Sequence, residues 1–116
     1  MKIYLAGPMR GIPEFNFPAF YNAAALLRSQ GHEVFNPAER DNAHHGTDIS
    51  KGNVTGCEAQ AAKEHGFNLR DALKDDLTFI CQHADAIALL PGWERSKGVA
   101  AELATARALG LAELHL

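Results

Sequence analysis

Two carboxylates stand where helical leucines would be expected. In the segment that begins at Leu69, the apolar residues Leu69, Ala72, Leu73, Leu77 and Ile80 recur at helical spacing, and Asp76 falls inside their stripe, four residues after Ala72. Its neighbour Asp75 falls outside it. In the last such segment the stripe is Val99, Leu103, Ala106 and Leu109, and Glu102 sits within it, three residues after Val99. An inward carboxylate is costly unless it is hydrogen-bonded, paired or neutralised, so one acid on each of two flanking helices points to chemistry. Carboxylates serve as proton donors and acceptors, or attack an electrophilic carbon. The alternative is that each acid reaches past the edge of its stripe to solvent or caps a loop.

The segment Gly92-Trp93-Glu94-Arg95-Ser96-Lys97-Gly98 joins an apolar run to the second of these helices. If that run is a strand, the segment lies where open α/β sheets bind ligands, and the helix N-terminus, the Ser96 hydroxyl and the small Gly98 suit a phosphate or another anion. Ser96 equally fits a plain N-cap. Arg10, in the loop after the first strand, is placed to complete the same pocket, and Trp93 either stacks on a base or anchors the loop by packing. His44-His45 has no partner at a metal-ligand spacing, so no metal is expected. Gly7-Pro8-Met9-Arg10-Gly11 matches neither a P-loop nor a GxGxxG fingerprint, which removes support for triphosphate and dinucleotide cofactors. No cofactor is expected.

The elements that must carry these groups follow from punctuation and periodicity. Lys2 to Ala6 reads as a strand stopped by Gly7-Pro8. Phe17, Phe20, Tyr21, Ala24 and Leu27 mark a helix, with Asn16 as its N-cap and Gly31 closing it. His32 to Phe35 reads as a second strand, completing a right-handed βαβ unit. From Ala38 to about Asn68 periodicity is lost, and the stretch is expected to be a long loop lying over the site, with a short helix near Glu58 to Glu64. A helix from Leu69 to His83, a buried strand from Ala84 to Leu90, a helix from about Gly98 to Leu109 capped by Gly110, and a last strand within Leu111 to Leu116 complete the chain. This order predicts one doubly wound, mainly parallel α/β domain with flanking helices.

Composition narrows the partners. The 116 residues, 47% hydrophobic and 22% charged, suffice for a single core. Eleven Lys and Arg against fourteen Asp and Glu give a net charge of -3, which offers no broad basic surface for nucleic acid or anionic membrane, so any anion must be held locally. Cys57 and Cys81 form no CxxC pair, and no apolar run is long enough to span a bilayer; a reducing cytoplasmic setting is expected.

The constellation resembles the nucleoside 2-deoxyribosyltransferase-like family, including its deoxynucleoside-monophosphate N-glycosidases and a branch common in bacteria and phages. The residues that carry the resemblance are Tyr4-Leu5-Ala6-Gly7-Pro8-Met9-Arg10-Gly11, Asn36-Pro37, Asp76-Leu77, Ala84-Asp85-Ala86-Ile87, and above all Leu90 to Gly98 followed by Glu102. The resemblance implies a flavodoxin-like or Rossmann-like fold and a pocket often completed by a neighbouring subunit in a homodimer or larger assembly. It implies Glu102 as nucleophile at the anomeric carbon, Asp76 as the assisting carboxylate and Tyr4 as the active-site tyrosine. Gly7, Arg10, Ser96 and Gly98 would then line the substrate site, with Arg10, Ser96 and Gly98 at a 5′-phosphate. Pro8 stands where a small hydroxyl-bearing residue is common beside that phosphate. The implied reaction is cleavage of the base-sugar bond of a nucleoside or its monophosphate, the alternatives being transfer to a second base or binding without turnover.

Overall fold

β1 (Lys2–Ala6) is the strand around which the chain is organised. Its side chains alternate: Ile3 and Leu5 enter one apolar cluster, Tyr4 and Ala6 a second on the opposite face. β3 (Ala86–Leu89) lies parallel to β1, pairing Tyr4 with Ile87, and divides its residues in the same way, Ala86 and Ala88 against Ile87 and Leu89. A strand buried on both faces needs apolar residues at every position, which is what the unbroken run Ala86 to Leu90 supplies. β2 (Glu33–Phe35) flanks β1 and β4 (Ala112–His115) flanks β3, so the sheet order is β2-β1-β3-β4 with all pairs parallel. The computed structural model describes residues 1–40 and 69–116.

α1 (Phe17–Ser29) connects β1 to β2 and covers the first face with Phe17, Phe20, Ala24 and Leu27. α2 (Leu69–Gln82) and α3 (Lys97–Ala108) cover the second with Ile80, Val99, Leu103 and Ala106. Helices on both faces of a parallel sheet make this a doubly wound α/β fold of flavodoxin-like or Rossmann-like arrangement, as the element order predicts. Among the described residues no helix is long and apolar enough to cross a membrane.

The helix ends show how local chemistry sets these boundaries. α1 closes with Gly31 at φ +92°: its N–H reaches the Arg28 carbonyl at 3.0 Å, and the His32 N–H reaches that of Leu27 at 3.3 Å. α3 repeats this Schellman pattern, with Gly110 on Arg107 and Leu111 on Ala106. Asn16 departs from expectation. It occupies the α1 N-cap position at φ +61°, but its side chain accepts nothing from the helix; instead Nδ2 donates to the Pro8 carbonyl at 3.1 Å. The reason lies in the approach. Glu14 and Phe15 are also left-handed, at φ +53° and +52°, which turns the Asn16 amide back toward the loop.

The long loop expected from Ala38 also needs correction, because residues 37–40 are helical. Asn36 is the cap that sequence reading passed over: its Oδ1 accepts from the Ala38 N–H at 2.9 Å and its carbonyl from the Arg40 N–H at 3.1 Å. Pro37 follows at the first helical position, where a preset φ helps and a missing N–H costs nothing. Arg40 then pairs with Asp75, joining this turn to α2. The remainder of that segment, with His44-His45, Cys57 and the short helix near Glu58, lies outside the described residues.

Candidate active site

β1 feeds α1 on one face of the sheet while β3, its neighbour, feeds α3 on the other. The two exits diverge and leave a crevice at the carboxyl ends of the strands, the usual ligand position in such sheets. A cavity of about 100 Å³ lies there. Tyr4, Asp76 and Glu102 form its acidic end, Phe15, Phe17 and Phe20 an apolar wall, and Gly7, Arg10, Ser96 and Gly98 further parts of its lining. The fold thus gathers seven of the eight site residues expected from the sequence.

Glu102 and Asp76 are 7% and 8% exposed, so neither reaches past its stripe into water. Tyr4, fully buried, donates from its hydroxyl to Glu102 Oε2 at 2.7 Å. Asp76 lies in the same cluster, close enough for its charge to act on both Glu102 and Tyr4. Burial pushes the Glu102 carboxyl from 4.5 up to about 8, the negative charge of Asp76 adds to that rise, and the Tyr4 hydrogen bond opposes it. At neutral pH the two carboxyls therefore hold one proton between them. The Tyr4 phenol is raised well above 10.0, by burial first and then by Glu102 and Asp76, which makes it a permanent donor. Its ring is held from behind: Phe35 stacks on it at 5.6 Å and Phe79 on Phe35 at 4.6 Å.

Ser96 is the N-cap of α3, accepting from the Val99 N–H at 3.2 Å. Capping uses a lone pair of the hydroxyl and leaves its hydrogen to donate, so the cap and an anion contact are compatible. The two glycines differ in cause. A Cβ on Gly7 would lie 2.7 Å from the Leu90 Cβ, so packing between the β1 and β3 exits demands glycine there. Among the described residues a Cβ on Gly98 would meet only Ser96 Oγ, at 3.8 Å, an ordinary contact. Among the described residues nothing requires glycine at this first helical turn, where glycine is a poor helix former, and Gly98 lines the cavity.

Trp93 is the expected site residue that the structure does not bring to the cavity. The chain leaves β3 through Gly92 at φ +89° into a 3-10 turn (Trp93–Arg95), and the indole packs on the α3 side of the sheet, 5.9 Å from the His115 ring. It is the loop anchor. Asp85, within the resembling block, sits at the opposite end of the sheet and accepts from the Lys2 N–H at 2.8 Å. Sequence reading missed the apolar wall and the Phe35–Phe79 stack. Phe17 and Phe20 carried only a helix-stripe signal, and the position of Phe15 depends on a left-handed turn that no local motif announces.

No curated protein matches the chain. A family model described as a domain of unknown function (DUF4406) matches residues 1–114, nearly the whole length over which the sheet, the crevice and the acid pair are built, and the chain belongs to that family.

Proposed function

We propose that the protein cleaves the N-glycosidic bond of a (deoxy)nucleoside 5′-monophosphate or nucleoside, in the cytoplasm and as a homodimer or larger assembly, with Glu102 as the nucleophile. The observation that carries this reading is the buried Tyr4–Glu102–Asp76 cluster at the strand switch point, facing an apolar wall. Breaking a C1′–N bond builds positive charge on the sugar and negative charge on the departing base. A carboxylate beneath C1′ stabilises the cationic sugar and captures it as a glycosyl ester, while an acid delivers a proton to the base. Tyr4 holds Glu102 by Oε2, which leaves Oε1 for C1′. Asp76, sharing a proton with Glu102, can pass that proton toward the base as Glu102 becomes the ester. Water then attacks C1′, giving its proton to the ionised Asp76 and releasing Glu102 as the free carboxylate, which restores the starting pair; a second base in place of water would make the protein a transferase. The aromatic wall of Phe15, Phe17 and Phe20 suits a planar base, and Arg10 with Ser96 and Gly98 suits the 5′-phosphate.

Incubation with a panel of nucleosides and monophosphates, followed by chromatography for free base, tests the reaction. Release by the wild type and its loss in folded Glu102→Ala is the expected result; release undiminished in Glu102→Ala overturns the role of Glu102. One observation favours a second reading, a nucleotide sensor without turnover: a Glu102 carboxyl raised to about 8 is mostly protonated at neutral pH, and a protonated acid donates hydrogen bonds better than it attacks. Saturable nucleotide binding with no base released at any pH would select that reading.

A further inference from the structure

Beyond the mouth of the cavity lies a second, larger cleft of about 490 Å³, within the size range of small-molecule sites. The two share Met9, Arg10 and Ser96, so they meet at the proposed 5′-phosphate position. The cleft differs in character from the cavity. Among the described residues Arg10, Arg95 and Lys97 line it and no carboxylate does, and this in a chain whose net charge is -3. The start of α3, a twelve-residue helix, adds the partial positive charge of its first-turn N–H groups. Among the described residues no aromatic ring lines it, and its apolar contribution comes from Pro8, Met9 and Ile12, none of which offers a ring face on which a base would stack. A substrate with C1′ at Glu102 and its 5′ oxygen at Arg10 and Ser96 must send whatever follows into this cleft.

We infer that the cleft binds the second phosphate of a nucleoside 5′-diphosphate, so that diphosphates rather than monophosphates are the preferred substrates. The nucleoside part of this inference rests on the glycosidic reading of the cavity; recognition of the diphosphate does not. A terminal phosphate between Arg95 and Lys97 gains charge-assisted hydrogen bonds that a monophosphate, ending at Arg10 and Ser96, cannot reach. Arg95 and Lys97 are exposed, so the gain is screened by salt.

Two measurements on the full chain separate the claims. Calorimetric titration with inorganic pyrophosphate and inorganic phosphate at low ionic strength is expected to give at least about tenfold tighter binding of pyrophosphate, lost in Arg95→Ala/Lys97→Ala and reduced by added salt. Base release from a deoxynucleoside 5′-diphosphate is expected to exceed that from the monophosphate in kcat/KM by at least about tenfold, and the double variant is expected to bring the diphosphate down to the monophosphate without changing the latter. Pyrophosphate preference without base release from any substrate leaves the cleft standing and removes the glycosidase. Base release with equal efficiency on both nucleotides and no pyrophosphate preference overturns the cleft and leaves the glycosidase. A preference that persists in the double variant also overturns it.

Discussion

Glu102 is under two opposed demands. To attack C1′ it must be ionised, yet burial and the Asp76 charge favour its protonated form and raise its pKa to about 8. The attacking form has the shared proton on Asp76, so its loss from the pair ends the reaction, and kcat/KM is expected to fall as pH rises through about 8, far above the ordinary carboxylate value of 4.5. Replacing Asp76 by Asn removes the like charge and turns a proton-sharing partner into an amide donor. Both changes lower the Glu102 pKa and remove the acid, so the falling limb near 8 should disappear while the maximal rate falls by about a hundredfold or more. A pH–rate series on the wild type and Asp76→Asn reads both effects, and a limb that stays in place would show that the carboxyls do not titrate together. Glu102→Gln should lower kcat by about a thousandfold or more, since the amide retains the hydrogen bond from Tyr4 but cannot form the glycosyl ester.

The exit of β1 and the start of α3 place two glycines at the same cavity for different reasons, and alanine distinguishes them. At Gly7 the new methyl would lie 2.7 Å from the Leu90 Cβ, close to the backbone of the other central strand, where neither side can yield cheaply. Gly7→Ala is expected to destabilise the fold by about 1–3 kcal/mol, measured by urea denaturation. At Gly98 the methyl meets, among the described residues, only Ser96 Oγ at 3.8 Å and improves helix propensity, so Gly98→Ala should leave stability unchanged or raise it by up to about 1 kcal/mol. The same methyl would stand where a phosphate approaches the first turn of α3, and efficiency on the monophosphate should fall by about tenfold or more with little change on the free nucleoside. Equal kinetics on both substrates in Gly98→Ala would remove the phosphate from that helix end.

For the whole molecule, the raised pKa makes stability depend on pH. Glu102 binds its proton more tightly folded than unfolded, so its contribution is fully present below about 4.5 and is lost as pH rises toward about 8, at up to about 1.4 kcal/mol per pH unit. Gln carries no such dependence. The thermal stability of Glu102→Gln should therefore exceed that of the wild type by a margin that widens across this window and is constant above it. Melting curves at a series of pH values check this, and a margin independent of pH would mean that the carboxyl is not shifted. Glu39 acts in the opposite sense, because its hydrogen bonds from Arg28 hold its pKa below 4.5 and its contribution is lost as pH falls. That pair is 42% and 43% exposed, so its share is small beside that of the buried acid. A homodimer or larger assembly is expected in light scattering, with a lone protomer at high concentration as the contrary result.

The order of the strands and of α1, α2 and α3, the C-terminal ends of α1 and α3 and the inward placing of Asp76 and Glu102 were legible in the sequence. Those features are local: Gly31 and Gly110 close helices through their own backbone, and a carboxylate that keeps helical phase with leucines shares their face. Periodicity says which face a residue occupies but not what stands opposite. That Tyr4 reaches Glu102, 98 positions away, follows from β1 lying beside β3 and α3 crossing the second face of the sheet. That Trp93 turns away from the cavity follows from a left-handed Gly92, and that Phe15 turns into it from a left-handed turn no propensity favours. Asn36-Pro37 was legible in principle as a cap followed by a first-turn proline, but the polar residues after it masked the signal. The protonation of the acid pair was decided by tertiary structure alone, because desolvation and the nearness of a like charge exist only once two helices and a strand have closed around the same few ångströms.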